Sequence, residues 1–297
     1  MSAFPLPIPG REVVVVPAPG RGAGHWSGAP SAARDPSGGW VIAYRVRTPT
    51  GRGGAVVVAR SPDGEQLTPV TTLLKDRFGA ESLERPALVR LPSGRWRLYV
   101  SCATPGTKHW RIDLVEAPDP EALVDAEPRV VMPGDALLAV KDPVIRPRDD
   151  GWEAWVCSHP LDPPGAEDRM VTRFATSPDG LTWSWAGTAL TGRPGAWDAR
   201  GARVTSVLPD GRAAYDGRAT TGDNFSERTG LAVPSGHPGV LVPQGRAPVA
   251  DVRYLDVIPL DDAGHRIYYE APLPDGSHEL RTALVPPGEE RGGRGGP

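Results

Sequence analysis

Disulfide chemistry is the first thing this sequence lacks. Only two cysteines, Cys102 and Cys157, occur in 297 residues, too few for a disulfide framework and at no metal-ligand spacing. Both are expected to be reduced, unpaired and buried as small apolar side chains. Long apolar runs are missing as well. Nothing approaches the roughly 18 residues that span a bilayer as a helix. The opening "MSAFPLPIPGREVVVVPAPG" has neither the basic start nor the continuous apolar stretch of a signal peptide. A cytoplasmic protein with no membrane partner is the expectation. Strong charge of either sign is absent too: a formal net charge of −3 gives no electrostatic footprint for nucleic acid. The six histidines show no metal-binding spacing, so no metal and no other cofactor is expected. Helix-forming stretches are scarce, and "DPEALVDA" (119–126) offers one or two turns.

What is abundant is glycine and proline, 36 and 35 residues spread along the whole chain. That distribution reads as many tight turns rather than one flexible linker. Only the tail "PPGEERGGRGGP" (286–297) reads as disordered.

Five stretches share one pattern, a polar turn bearing glycine followed by a short strand centred on an aromatic residue. They are "PSGGWVIAYRV" from Pro36, "PSGRWRLYVSC" from Pro92, "DDGWEAWVCSH" from Asp149, "PDGRAAYDGRA" from Pro209 and "DAGHRIYYEAP" from Asp262. Their glycines, Gly39, Gly94, Gly151, Gly211 and Gly264, are 53 to 60 residues apart. Each turn follows an alternating or apolar strand, such as "PALVRL" or "DPVIRP". A period of that length built of strands and turns predicts propeller blades. The expected fold is all-β, a single five-bladed β-propeller over 1–285 with under about a tenth of its residues helical. Blades are expected at approximately 25–75, 81–131, 138–190, 196–243 and 250–285, with 11–18 closing the ring. A β-sandwich is the alternative. Two further turns share a literal motif, "ARSPDGEQL" (59–67) and "ATSPDGLTW" (175–183). There Pro-Asp-Gly supplies the fixed φ and the permissive glycine that a hairpin needs. Trp40, Trp96 and Trp152 share one repeat position and are expected in the core between blades.

A strand opening with Asp-Pro, then a hairpin, an aromatic strand and "ATSPDGLTW" resembles the five-bladed glycosidases of glycoside hydrolase families 43 and 32, as a pattern over residues 25 to 285. The resemblance implies that the first strand of each blade lines a central funnel with substrate at one mouth. It further implies three acids at the starts of innermost strands: a base or nucleophile in blade one, an orienting aspartate in blade three and an acidic glutamate in blade four. Asp142 in "KDPVI" matches the blade-three aspartate. In blade one, "SGAPSA" places Ala29 before Pro30 where the acid would stand, while Asp35 falls in the hairpin turn. In blade four, "WDARGARV" offers Arg200 at the glutamate position, with Asp198 two residues upstream.

Other charged residues collect at strand starts. "ESLERPALV" puts Glu84 and Arg85 before Pro86, as Lys141 and Asp142 stand before Pro143. Asp142, Glu84 and Asp198 are therefore the candidate catalytic carboxylates, with Asp142 expected as an exposed funnel acid. Arg85, Lys141 and Arg200 are candidate substrate-holding cations. The loop "TPGTKHWRID" (104–113) adds His109 and Trp110, "VCSHPLD" adds His159, and Trp26 and Trp197 break the tryptophan repeat near strand starts. The function expected is a glycoside hydrolase-like enzyme acting on a glycosidic bond or a sugar-containing small molecule, by the two-carboxylate scheme. Two alternatives stay open. One is a glycoside phosphorylase whose cations (Arg85, Lys141, Arg200, Arg203, His109) hold phosphate. The other is a propeller that lost this chemistry and binds a ligand or serves a different reaction in secondary metabolism.

Overall fold

The computed structural model describes residues 4–288; residues 289–297 of the tail expected to be disordered lie outside them. Twenty strands follow one another: β1 (Val13–Val16), β2 (Trp26–Arg34), β3 (Trp40–Thr48), β4 (Arg52–Ser61), β5 (Thr68–Leu74), β6 (Leu83–Arg90), β7 (Trp96–Ala103), β8 (Trp110–Ala117), β9 (Arg129–Met132), β10 (Leu138–Arg148), β11 (Gly151–Pro160), β12 (Val171–Ser177), β13 (Ser184–Leu190), β14 (Gly201–Val207), β15 (Ala213–Arg218), β16 (Arg228–Pro234), β17 (Leu241–Gln244), β18 (Arg253–Pro259), β19 (His265–Pro272) and β20 (His278–Val285). Helical structure among the described residues is limited to three short 3-10 turns, Lys75–Phe78, Glu121–Val124 and Thr221–Asp223. The second is the stretch read as one or two turns, opened by Asp119 Oδ1 accepting the Ala122 N–H at 2.8 Å. No helix among them is long and apolar enough to cross a membrane.

The strands form antiparallel meanders β6–β9, β10–β13 and β14–β17. A longer path joins β18–β20 to β2–β5 and carries β1 on β20. The strand pairing between the two halves of that path is one parallel pair, Trp26 with His278. The first strands contact one another in the cyclic order β2, β6, β10, β14, β18 and back to β2. Four turn glycines of the repeat lie between the first and second strands of these meanders, and Gly151 opens the second strand of its own.

The apolar core is distributed between neighbouring sheets rather than inside any one. Val41, Val58 and Leu73 pack with Leu88, Leu98 and Val115 across the β2–β5/β6–β9 boundary. Val140 and Val156 join Tyr99 and Leu114 across the next. Trp40 and Trp96 are buried in such layers and Trp152 packs against one. Cys102 and Cys157 are free and buried on β7 and β11; burial pushes the Cys157 thiol up to about 12.

The repeated Ser-Pro-Asp-Gly turns are latches between neighbouring groups of strands. In both, the aspartate accepts from the serine hydroxyl and from the two amides after the glycine. The glycines have φ +80° and +71°, where a Cβ is disfavoured. Their carbonyls then accept a phenol from a neighbouring group of strands: Tyr268 of β19 to Gly64 at 2.9 Å and Tyr99 of β7 to Gly180 at 2.8 Å. Arg266 and Arg97, two residues before each tyrosine, lie over Trp40 and Trp152 at 5.5 and 5.2 Å.

Each first strand is interrupted by a register shift near its start: Gly28/Ser31, Leu83/Pro86, Lys141/Pro143, Val204/Ser206 and Arg253/Asp256. Such bulges bend a strand and re-aim its side chains. At three of them a residue other than glycine adopts positive φ: Ala29 (+52°), Asp142 (+51°) and Tyr254 (+52°). Each costs about 1–2 kcal/mol, so the surrounding contacts must hold it.

Candidate functional site

The bulges face a cavity of about 360 Å³ lined where first strands begin and second strands end. β2, β6, β10, β14 and β18 contribute Trp26, Glu84, Lys141, Arg203 and Arg253 with Tyr254, and β3 adds Arg45 and Arg47.

One wall is a ladder of alternating charge. Arg47 donates to Glu84 Oε1 at 3.3 Å, and Arg45 to Glu84 Oε2 at 2.8 Å. The other end of Arg45 reaches Glu270 Oε2 at 2.6 Å, and Glu270 Oε1 takes Arg253 at 3.0 Å. Arg253 Nε lies 2.9 Å from Glu227 Oε2, and Arg218 donates to Glu227 Oε1 at 3.2 Å. Burial opposes ionisation of Glu227, yet Arg253, Arg203 and Arg218 outweigh it and hold its carboxyl below the usual range. Glu270 follows the same pattern under Arg45 and Arg253.

The floor is a second network. Asp142 Oδ2 accepts from Arg203 at 3.0 Å and lies 3.4 Å from the Tyr254 hydroxyl and 3.7 Å from Lys141 Nζ. Its Oδ1 accepts the Arg85 N–H at 3.2 Å. Arg203 also reaches Asp216 at 2.6 Å and lies 3.8 Å from the Tyr254 ring centroid. Asp142 has no exposed surface. Burial raises its carboxyl, but the Lys141, Arg203 and Arg85 charges outweigh that and leave it lowered.

Of the residues singled out in the sequence, Glu84, Lys141, Trp26, Trp110 and His159 line this cavity together. Trp110 receives the Lys141 ammonium 4.9 Å from its centroid. The His159 Nδ1 lies 2.5 Å from the Glu167 carbonyl and so carries the ring proton. Burial and the Lys141 charge push its pKa down to about 3, leaving the ring neutral.

The others stand elsewhere. Asp142 is not the exposed funnel acid expected, because its left-handed bulge sets the carboxylate beneath the floor. Arg85 is buried there too, donating to the carbonyls of Pro30 and Thr205 at 3.3 and 2.7 Å. Asp198 is buried away from the cavity, bonded to Arg193 and to the Tyr215 hydroxyl, both at 2.8 Å. Trp197 packs on Tyr215 instead of facing the cavity. Arg200 pairs with Asp168 at 2.6 Å without lining the cavity itself. His109 stays in its own hairpin, 3.4 Å from the Thr104 hydroxyl. Asp35 lies in the β2–β3 turn, accepting the Ser37 amide at 3.0 Å.

Sequence reasoning missed Glu227, which precedes β16, and the guanidiniums of Arg45, Arg253 and Arg218. Arg45 and Arg47 carried a usable signal, since residues two apart on a strand face the same way. Glu227 in "NFSERTG" carried none.

No family model and no curated protein matches the sequence. Solved structures do match. The β-1,2-mannobiose phosphorylase from Listeria innocua is 15% identical with a TM-score of 0.65, over 95% of this chain and 92% of that one. The α-L-arabinofuranosidase from Lactobacillus brevis is 14% identical with a TM-score of 0.63, over 88% and 90%. The β-fructofuranosidase of Bombyx mori is 14% identical with a TM-score of 0.63, over 92% and 62%. The fold is that of the propeller glycosidases. At this identity the likeness is one of fold, and what the site does has to be argued from its own residues.

Proposed function

We propose that the chain is a five-bladed propeller that cleaves a glycosidic bond in this cavity. Five blades are supported by the cyclic contact of five first strands and by β1 lying outside β20 in the last meander. The observation that carries the catalytic reading is the pair of deep carboxylates, Glu84 and Glu227. They face one cavity from the second and fourth meanders and are linked through Arg45, Glu270 and Arg253. Cleavage of a glycoside needs one carboxyl to protonate the leaving oxygen and another to activate water or attack the sugar. Glu227, held ionised, is the base or nucleophile, and Glu84 is the second carboxyl of that scheme. Asp142 does not touch substrate; it positions Lys141, Arg203 and Tyr254 from below. The cavity is near the small end of ligand pockets, about 300–1,000 Å³, which suits one or two sugar rings.

A second reading is favoured by a separate observation. Eight cations line the cavity against four carboxylates. These donors suit a phosphate that attacks in place of water. Of the cations expected to form such a cluster, Lys141 and Arg203 face the cavity while Arg85, Arg200 and His109 do not.

The test is incubation with disaccharides of mannose, glucose, arabinose and fructose, with and without inorganic phosphate, followed by product chromatography. Free sugars formed without phosphate support hydrolysis, and a sugar 1-phosphate formed only with it supports phosphorolysis. Cleavage of none of them under either condition overturns the enzyme reading.

A further inference from the structure

Phe225 lies in the connection between β15 and β16 and holds φ +77°. For an L residue with a bulky side chain that is a true outlier, costing about 1–2 kcal/mol. The side chain is also left 43% exposed and belongs to none of the apolar clusters of the core. Neither burial nor local hydrogen bonding explains why an aromatic residue stands here in a strained conformation.

Its surroundings do. The Phe225 ring lies 4.9 Å from the Trp26 ring at 47°, with the Arg47 guanidinium 5.7 Å away. Trp26 is itself immobilised: it stacks on His278 at 4.9 Å, and its Nε1 donates to the Gly276 carbonyl at 3.2 Å. The backbone on both sides of Phe225 is tethered as well, since the side chains of Asn224 and Glu227 both accept from Arg218. The left-handed turn between these tethers sets the ring on the cavity wall, two residues from Glu227.

We propose that Phe225 is the sugar-stacking residue of this cavity and the determinant of which sugar epimers it accepts. This rests on the glycoside reading above. The exposed ring receives the face of a sugar on which C–H bonds predominate, an apolar contact of the kind aromatic faces make. A hydroxyl standing axially on that face would hold the ring off, so epimers differing at one carbon would be separated there. Backbone strain at a ligand-facing residue, persisting because its neighbours over-determine it, is the pattern expected of a binding residue.

The experiment compares wild type with Phe225→Gly and Phe225→Trp. Affinities are read by titrating tryptophan fluorescence with the methyl glycosides of mannose, glucose, galactose, xylose and arabinose, and stability by melting temperature. Phe225→Gly removes the strain, so its melting temperature should equal or exceed the wild-type value. Its affinity for the best glycoside should fall about tenfold, and the preference among epimers should flatten, while Phe225→Trp keeps both. Unchanged affinity and preference in Phe225→Gly would overturn the inference and leave the glycoside reading standing. Lost affinity together with a lowered melting temperature would also overturn it, because the ring would then serve the fold. Wild-type protein that binds none of the five glycosides would bring down the glycoside reading and this inference with it.

Discussion

Arg45 and Glu270 meet at 2.6 Å with essentially no solvent contact, in a space that exists because residue 28 is glycine. A Cβ on Gly28 would overlap the Glu270 carboxylate. The carboxylate at the start of the first meander is thus supplied from β19 rather than from β2, and it joins the arginines that hold Glu84 and Glu227.

Replacing Glu270 by Gln should therefore remove the carboxylate shared by the buried Arg45 and Arg253, leaving each with one acidic partner, Glu84 and Glu227, at a cost of about 3 kcal/mol. The effect depends on pH in a definite direction. The folded-state pKa of Glu270 is lowered by Arg45 and Arg253 in spite of burial, so its contribution is present above the ordinary glutamate pKa of about 4.3 and is lost as pH falls below it toward the folded value. Denaturation of wild type and E270Q should differ most near pH 7 and converge toward pH 3.

Asp142→Asn should cost about 3 kcal/mol, because the carboxylate is fully buried against Arg203 and Lys141. An exposed funnel acid would show no such loss. Lys141 and Arg203 reach the cavity, so ligand affinity should fall together with the melting temperature, whereas a purely local turn role would lower the melting temperature alone.

The two turn latches should contribute alike. Tyr99→Phe and Tyr268→Phe each remove one phenol-to-carbonyl bond between neighbouring groups of strands, worth about 1 kcal/mol. Because the two latches share no partner, the double variant should lose the sum within about 0.5 kcal/mol in urea denaturation.

These latches show where the sequence was legible and where it was not. Pro-Asp-Gly announces a turn because its signal is local. Its partner tyrosines lie 81 and 204 residues away, and no local pattern connects them. The strand-and-turn repeat was readable for the same reason, since each glycine marks a turn between adjacent strands. At the site, Glu84 and Lys141 were found because the residues before Pro86 and Pro143 recur at one repeat position. That same position misled for Asp142 and Arg85: the bulge turns both side chains beneath the cavity, and a φ of +51° at Asp142 leaves no trace in residue type. Glu227 and Arg253 reach the site from a loop and from a strand start without that proline, so the repeat assigned them no role.

Asp256 lies below the floor, accepting the Ala32 N–H at 2.8 Å with Arg85 3.6 Å away. Burial pushes its carboxyl up to about 6 against the pull of Arg85. A group whose folded pKa exceeds its unfolded value stabilises at low pH and loses that contribution as pH rises, here between about 4 and 6. Asp256→Asn avoids burying the charge. Its melting temperature relative to wild type should be several degrees more favourable at pH 7.5 than at pH 4.5; an equal difference at both would contradict the assignment.

Glu84 and Glu227 are proposed to cleave a glycosidic bond together. The most direct test is the turnover rate of Glu84→Gln and Glu227→Gln, with Asp198→Asn as the control outside the cavity, on whichever disaccharide the wild type cleaves. Each glutamate variant, shown folded by its circular dichroism, should lose at least about 100-fold in kcat, while Asp198→Asn should keep the wild-type rate once folded. Near-wild-type turnover in either glutamate variant would contradict the proposal.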